Sequence, residues 1–587
     1  MAGCAIGAAL LLSSPGVAAP ALEPGRLEFR LAQQLPSTID PGRIEQQFEE
    51  GTEPLSTFEP EVPEGEEAIP PPGAEDIRFM LSGVLIEGAT AYPESAFLPL
   101  YEELLGTEVS LADVYRLAGK ISAMYRGDGY ILSRAVVPAQ RIRDGLVRIA
   151  VLEGFINEVI IEGDISGRES LLKSYAAKIS AERPLSADTL ERYLLLADDL
   201  PGVTAKAVLT PSVGAPGASD LVLFVDQKPF DQAYSFDNRG SRFVGPFTAT
   251  VSYKFNNMMG LYEQTTFRGI FATQPEELRF FQLSHQETIG SEGTRMLVAY
   301  NFTRSRPGFT FVQPLTNVES SSQELTISVK HPMIRSRSRN LSVKGEFIWR
   351  KTITDLAFTP LFDDRLRIIR GSAAYDFVDQ FRGINLIEIE VSQGLDIFNA
   401  SESGSADGVD ADISRVNGKS DFFKITADAS RLQRLYPGVS LLASATGQFS
   451  GSQLLSSEEF GFGGSIFGRA FDSSEFTGDH GAAGKLELQY GRTAESVPFL
   501  RGLPIKDFQL YTFFDYGIAW RIDPVANAVV DGKHAQTGSS AGVGVRFNLS
   551  DNVSGFMELD KPLTRDVGAR GTDGEEPRAF FALAARF

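Results

Sequence analysis

The spacing of apolar residues along the chain changes near Lys228. Upstream, apolar residues recur at helical spacing, as in the set Leu111, Val114, Leu117, Ala118, Ile121 and Tyr125. Downstream, apolar and polar residues alternate, as in 325–330, 387–392, 485–490 and 508–520. A helical period followed by a period of two predicts α+β domains and then an all-β domain.

The α+β part contains two similar units, each with the predicted order β-α-α-β-β. The first unit is read as a strand Ile77–Glu87, helices Pro93–Leu104 and 111–126, and strands Tyr130–Pro138 and Leu146–Leu152. The second is read as a strand around Val159–Gly163, helices Arg168–Ile179 and Ser186–Leu200, and strands Val203–Thr210 and Asp220–Asp226. Ser110 and Ser186 are suited to cap a helix in each unit. An internal repeat of about 75 residues is stronger evidence for these units than any single motif.

The first 76 residues have a different character. Residues 1–21 combine an apolar run with small residues, which predicts a signal peptide whose basic start lies upstream. A short helix is predicted from Pro41 to Glu50, with Asp40 as its cap. Residues 51–76 hold six prolines and eight carboxylates and no basic residue, which is typical of an extended linker.

A transmembrane barrel is favoured over a soluble sandwich for the segment 228–587. The mean hydropathy is −0.08, but a membrane barrel alternates lipid-facing with lumen-facing residues and has an ordinary average. The segment is long enough for 16 strands of roughly 9–11 residues each, with room for loops. Leu486, Leu488 and Tyr490 are predicted to face lipid, and Lys485, Glu487 and Gln489 the lumen.

Composition excludes several functions. A net charge of −21 leaves no basic excess to neutralise phosphates, so nucleic acid is not an expected partner. The single cysteine, Cys4, precedes the mature chain, and the four histidines have no metal-ligand spacing, so no metal and no cofactor are expected. Gly538–Gly542 matches the G-x-S-x-G nucleophile pattern at Ser540, but it runs into a strand rather than a helix. We therefore expect no enzyme and no catalytic residue.

Four local motifs resemble one family. Phe236–Ser241 contains Asp-Asn-Arg-Gly-Ser; Gly463-Gly464 and Phe467–Phe471 resemble the tip of an inward-folded loop; Ser474–Gly481 continues that motif; and Phe513–Gly517 reads F-x-D-x-G. In this order they resemble the TpsB transporters of two-partner secretion, whose repeated periplasmic units are POTRA domains. Ala470 departs from the family, which usually has glycine there, so a turn with φ > 0 at that position would be strained.

The resemblance implies specific site residues. It implies a loop motif over 463–481, with Gly468, Ala470, Phe471, Gly478 and Asp479 as members. It further implies that Arg469 meets Asp515 on the inner barrel wall as a loop–barrel lock; the alternative is a solvated loop arginine. The C-terminal Phe587 resembles the signal by which outer-membrane barrels are recognised for assembly.

The resulting hypothesis is an α+β pair of POTRA domains followed by an all-β transmembrane barrel of about 16 antiparallel strands. Its predicted divisions are 1–21 signal peptide, 22–76 helix and linker, 77–154 and 155–227 POTRA domains, and 228–587 barrel. The resemblance implies an outer-membrane pore of a Gram-negative bacterium, with the POTRA domains in the periplasm. Its expected partners are an unfolded TpsA-type exoprotein, outer-membrane lipid and the barrel-assembly machinery. The alternatives are a barrel-assembly insertase of the same superfamily, or a passive porin or receptor.

Overall fold

The computed structural model describes residues 40–46, 69–163, 169–212, 215–308, 318–356, 359–402, 413–415, 417–497, 501–502, 504–522, 535–564 and 576–587. The predicted signal peptide and most of the predicted linker lie outside these residues. Within them, no helix is both long and apolar enough to cross a membrane.

A short helix, α1 (Pro41–Gln46), precedes the first α/β unit. That unit consists of β1 (Arg78–Met80), β2 (Gly83–Glu87), β3 (Glu108–Ser110), α2 (Leu111–Gly127), β4 (Arg134–Val136) and β5 (Leu146–Leu152). Its main sheet has the order β2-β5-β4, with β2 parallel to β5, and β1 pairs separately with β3. The apolar face predicted for α2 is buried in the core of this unit.

The predicted helix Pro93–Leu104 is wrong. The segment forms three single 3-10 turns instead, Glu94–Ala96, Leu98–Leu100 and Glu102–Leu104. Pro99 lies in its middle and has no N–H to donate, which interrupts an α-helix at that point. The predicted strand Ile77–Glu87 is likewise divided into β1 and β2.

The second unit repeats the connectivity of the first. It contains β6 (Phe155–Gly163), α3 (Glu169–Ala181), α4 (Ala187–Asp198), β7 (Val203–Pro211) and β8 (Ala218–Gln227). Its sheet order is β6-β8-β7, again with the first strand parallel to the last. Ser186 caps α4 by accepting a hydrogen bond from the Thr189 amide at 3.2 Å, as predicted.

Sixteen of the remaining strands form a closed antiparallel barrel, which confirms the predicted fold class. Its first eleven strands are β9 (Phe230–Asp237), β10 (Thr248–Asn256), β11 (Gln264–Ala272), β12 (Leu278–Ile289), β13 (Thr294–Ser305), β14 (Val318–Arg335), β15 (Arg339–Leu356), β16 (Thr359–Val378), β17 (Ile384–Gly394), β18 (Phe423–Tyr436) and β19 (Val439–Ser450). Its last five are β22 (His480–Thr493), β23 (Asp507–Trp520), β24 (Ala535–Asn548), β25 (Val553–Pro562) and β26 (Arg578–Arg586). Strand β26 pairs with β9 and closes the barrel.

Exposure alternates along the strands as the sequence predicts. On β22, Leu486 is 54% exposed on the outer surface, whereas its neighbour Glu487 is 1% exposed and faces inward. Leu488 and Tyr490 are exposed like Leu486, and Gln489 is buried like Glu487. An apolar outer face over a charged interior is the arrangement that a lipid environment requires.

The second α/β unit contacts one rim of the barrel, here called the near rim. The guanidinium of Arg335, at the end of β14, donates from Nε and Nη2 to the Asp199 carboxylate, both at 2.8 Å. Asp199 ends α4. Glu292, in the turn between β12 and β13, pairs with Lys178 and Arg192. These buried and half-buried ion pairs fix the unit beside the barrel mouth.

Candidate functional site

The connection between β19 and β22 folds into the barrel rather than away from it. This inner loop, Gly451–Asp479, is the sixth connection at the far rim. It contains a 3-10 turn, Ser456–Glu458, and a hairpin of β20 (Phe460–Phe462) and β21 (Phe476–Gly478). Its aromatic side chains form a buried cluster against the wall, comprising Phe460, Phe462, Phe471, Phe476, Ala483 and Ala519.

Glycines permit the tight course of the inner loop. Gly463, Gly464 and Gly468 have positive φ angles of 117°, 108° and 74°, and Ser474 has one of 51°. A Cβ on Gly468 would lie 2.5 Å from the Phe462 ring. The positive φ angles of this loop fall on these four residues and not on Ala470. The strain that was expected for alanine at position 470 therefore does not arise.

Arg469 lies at the tip of the inner loop and contacts Asp515 on β23. Its Nε and Nη2 donate to the two carboxylate oxygens at 3.2 and 3.1 Å, and the backbone amides of Gly468 and Arg469 donate to Oδ2 at 3.1 and 3.0 Å. Both side chains are buried, at 4% and 0% exposure. The structure thus brings together the two residues that the resemblance pairs.

Arg469 has further partners that the sequence did not indicate. Its Nη1 donates to Glu487 at 2.5 Å and lies 3.6 Å from Glu558. The guanidinium lies over the Phe513 ring, 3.3 Å from the centroid. Inward-facing carboxylates are common on these strands, so no sequence motif distinguished Glu487 and Glu558. Together these groups compensate a cation that would be costly to bury alone.

The F-x-D-x-G motif on β23 is explained by contacts with the inner loop. Its three motif positions all face inward: Phe513 lies under the Arg469 guanidinium, Asp515 binds it, and Gly517 makes room for the Phe462 ring. A Cβ on Gly517 would lie 2.1 Å from that ring. The motif therefore forms the part of the barrel wall that binds the tip of the loop.

The remaining motif residues lie at the tip of the inner loop and at its C-terminal end. The Ala470 carbonyl accepts from Arg578 Nη1 at 2.8 Å, and Phe471 belongs to the aromatic cluster. Asp479 accepts from Arg415 at 2.7 and 3.2 Å and from the amides of Leu454 and Ile522. Gly478 packs against the backbone of Trp520, where a Cβ would lie 2.6 Å away.

Helix α1 lies inside the barrel, against the inner loop. Arg43 is almost fully buried, and its Nη1 donates to the carbonyls of Ser456 and Glu459 at 2.7 and 2.9 Å. Its Nη2 donates to Ser474 Oγ at 3.0 Å. Ile44 packs on the other side against the far rim, in a cluster with Phe243, Val244, Ala272, Leu278 and Val318. The sequence indicated a helix here, but not its position in the lumen.

The Asp-Asn-Arg motif after β9 reinforces the seam between β9 and β26. The ladder there runs only from Ala233↔Arg586 to Asp237↔Ala582. The Asn238 side chain extends it, since Nδ2 donates to the Ala579 carbonyl at 2.9 Å and Oδ1 accepts from the Phe581 amide at 2.7 Å. An amide side chain here acts as an additional peptide unit of the ladder.

Two further residues complete this seam. Arg239 donates to the Arg469 carbonyl at 3.0 Å and pairs with Glu558 of β25. At the near rim, Phe587 and Gln232 exchange backbone hydrogen bonds of 3.0 and 2.8 Å. The last residue is thus part of the barrel closure; its role as an assembly signal stays a prediction.

Ser540 lies in the middle of β24, fully buried, with its hydroxyl 3.4 Å from Asp515 Oδ2. The strand continues on both sides of Ser540, so the strand–turn–helix geometry of a nucleophile elbow is not formed. Within the described residues no group of three or more His, Cys, Asp or Glu side chains is arranged to hold a metal ion.

A closed 16-stranded barrel with an inward-folded loop and two α/β units at its near rim defines a POTRA–barrel protein of the outer membrane, with the POTRA domains on its periplasmic side. Residues 217–545 match the family described as haemolysin secretion/activation protein ShlB/FhaC/HecB, and residues 79–154 match the ShlB-type POTRA domain. The chain belongs to the ShlB/FhaC/HecB family.

Individual relatives agree with this assignment. The heme/hemopexin transporter protein HuxB of Haemophilus influenzae is 26% identical over 253 residues, which is 42% of this chain and 44% of HuxB. The outer membrane transporter CdiB of Dickeya dadantii is 23% identical over 65% of this chain and 67% of its own. The match thus spans less than half of HuxB and about two thirds of this CdiB.

Two solved structures share the fold. CdiB from Escherichia coli superposes with a TM-score of 0.70 at 18% identity, covering 97% of this chain and 100% of that one. CdiB from Acinetobacter baumannii gives a TM-score of 0.60 at 16% identity with the same coverage. At this identity the likeness establishes the architecture.

Proposed function

We propose that this protein is the outer-membrane pore of a two-partner secretion system, and that it exports an unfolded TpsA-type polypeptide through its barrel. The observation that carries the proposal is a closed barrel whose lumen is occupied by the inner loop, which is held there by side-chain contacts. A passive porin needs no such segment, and family relatives named as transporters support export. No covalent chemistry is part of this function, and no cofactor is required.

The two α/β units are suited to receive the exported chain. Each contains a three-stranded sheet with two outer strands, β2 and β4 in the first unit and β6 and β7 in the second. An extended peptide can add to such an edge by main-chain pairing, largely independently of its sequence. The Asp199–Arg335 pair holds the second unit beside the near rim, so a captured chain would be delivered at the mouth of the barrel.

The lumen must be cleared before a chain can pass. Arg469 at the loop tip is held on the acidic wall by Asp515 and Glu487, and α1 rests on the same loop through Arg43. We propose that the Arg469–Asp515 pair is a loop–barrel lock, which keeps the loop in the conformation from which export begins. The proposed partners are the exoprotein, outer-membrane lipid around the barrel and the assembly machinery that inserts it.

The lock is tested by Arg469→Ala, Asp515→Ala and the double variant. Removing one partner of a buried pair leaves an uncompensated charge, at a cost of about 3–5 kcal/mol if fully buried and less in a wet lumen. We expect a normal amount of heat-modifiable barrel and at least about a tenfold drop in exported partner. The double variant should be no worse than either single one, because the groups act together.

The measurement is exoprotein in the medium, normalised to folded transporter. Arg492→Ala is the matched control, because Arg492 is exposed and its Nε donates to the Tyr490 hydroxyl outside the lumen. Normal export by Arg469→Ala would refute the lock. Additive defects in the double variant would show that the two residues act separately.

A further inference from the structure

Glu458, in the 3-10 turn of the inner loop, is a carboxylate held by three basic side chains. Arg350 Nη1 donates to its Oε1 at 2.7 Å, and Arg370 Nη2 donates to Oε1 and Oε2 at 2.9 and 3.0 Å. Lys424 Nζ lies 2.6 Å from Oε2. Glu458 is completely buried, so its charge is balanced by these neighbours rather than by water.

The three basic residues belong to the barrel wall, not to the loop. They lie on β15, β16 and β18, on a different part of the wall from β22, β23 and β25, which carry the acidic partners of Arg469. The inner loop is therefore held by an anion on a basic wall and by a cation on an acidic wall. The two attachment points of the loop on the wall thus have opposite charge.

The charge balance of the basic wall depends on Glu458. Arg350 also pairs with Glu324 at 2.5 Å, and Arg370 lies 3.7 Å from Glu390. Glu458 is thus the carboxylate that all three cations share. Departure of the loop would remove it and leave two guanidinium groups and an ammonium oriented to bind another carboxylate.

We propose that Arg350, Arg370 and Lys424 form a carboxylate-binding site, which Glu458 fills while the inner loop is in place and acidic side chains of the passing polypeptide fill once it leaves. The second part rests on the proposed export function. Two guanidinium groups and an ammonium within hydrogen-bonding distance of one carboxylate are a built site for that group. When an acidic side chain of the passing polypeptide replaces Glu458, the three cations stay paired while the polypeptide moves through the barrel.

The site is tested in planar bilayers with purified protein, using hepta-glutamate and hepta-lysine as probes. Glu458→Gln removes the resident carboxylate that competes with the probe for the site, and should therefore make the pore more sensitive to block by hepta-glutamate. We expect block at about tenfold lower concentration than in the parent protein, and little block by hepta-lysine. Adding Arg370→Gln should reverse most of the gain, because one of the two guanidinium groups is lost.

Glu459→Gln is the matched control. It removes the same charge one residue away, where the carboxylate contacts Thr477 and Arg415 instead of the basic wall. If Glu458→Gln does not insert, Glu458→Asp weakens the resident carboxylate while keeping its charge, and the same comparison applies. Equal block of parent and Glu458→Gln, equal block by both peptides, or an undiminished block after Arg370→Gln would each overturn the site.

A failure of the carboxylate site can be distinguished from a failure of the proposed export function, because the block is measured without the exported partner. If secretion is normal but Glu458→Gln is not blocked more strongly by hepta-glutamate than the parent, the carboxylate site is rejected and the proposed transporter function is retained. A specific block in a protein that exports nothing would retain the site and reject the proposed function.

Discussion

At the scale of single residues, the surroundings of Arg469 require the shape of a guanidinium as well as its charge. Asp515 accepts from two of its nitrogens, Glu487 accepts from the third, and the Phe513 ring lies against its plane. A lysine offers one nitrogen and no planar face, so it cannot satisfy all three neighbours together.

Arg469→Lys should therefore fail to restore export although it keeps the positive charge. We expect secretion to fall by about tenfold or more, close to the defect of Arg469→Ala. Exported partner per folded transporter is the quantity to compare, with Arg492→Lys as the exposed control. Secretion near the parent level would mean that charge alone holds the loop.

At the scale of secondary-structure elements, the start of α2 is stabilised by a capping box. The Asp113 carboxylate accepts from the backbone amide of Ser110 at 2.7 Å, and the Asp113 amide donates to Ser110 Oγ at 3.2 Å. The bond from the Ser110 amide, followed by that from the Ser110 side chain, lowers the pKa of Asp113 to about 2. A lowered pKa stabilises the folded state above the unfolded pKa of about 3.9 and loses that effect as the pH falls towards 2.

Asp113→Asn should weaken α2 by about 1 kcal/mol near neutral pH, and the difference from the parent should shrink between about pH 4 and pH 2. The difference in α2 stability between variant and parent is measured by hydrogen exchange of the α2 amides in the whole protein, at pH 6 and again at pH 3. Glu162→Gln, an exposed change on β6, is the control. If the difference in α2 stability between parent and Asp113→Asn is the same at both pH values, the charge of the Asp113 carboxylate is not involved.

The elements also show what the sequence could and could not predict. Helix α2 was predictable because its cap and its apolar face agree, whereas Pro93–Leu104 satisfied the apolar spacing but contains Pro99. The contact of Arg469 with Asp515 could be expected because both lie in recognisable motifs. Glu487, Glu558 and Glu458 could not, since their roles depend on which distant strands face the inner loop.

At the scale of the whole molecule, the barrel is closed by a short seam. Backbone bonds join Gln232 to Phe587 and Asn238 to Phe581, so Ser235 and Ala584, between them, form a pair without backbone hydrogen bonds. Side chains at such pairs approach closely, which suits a disulfide. The natural chain has one cysteine, Cys4, in the predicted signal peptide, so a new bond here is unambiguous.

The double variant Ser235→Cys, Ala584→Cys should form a disulfide and still export its partner when oxidised, because passage through the lumen leaves the seam shut. Secretion is compared with and without reductant in the same cells. A fall of tenfold or more that reductant restores would indicate lateral opening and favour an insertase. Retained export would favour a closed pore.

The contacts of Arg43 with the inner loop lead to an expectation about how the barrel opens. Its polar contacts are with the inner loop, at Ser456, Glu459 and Ser474, and Gly42 lies so close to Ser457 that a Cβ would come within 2.8 Å of its side chain. We therefore expect helix α1 and the loop to leave the lumen together. Single-channel current should switch between two levels, shut and fully open, and Arg43→Ala, which separates the two, should add an intermediate level. A parent record already rich in intermediate levels would show that helix and loop leave separately.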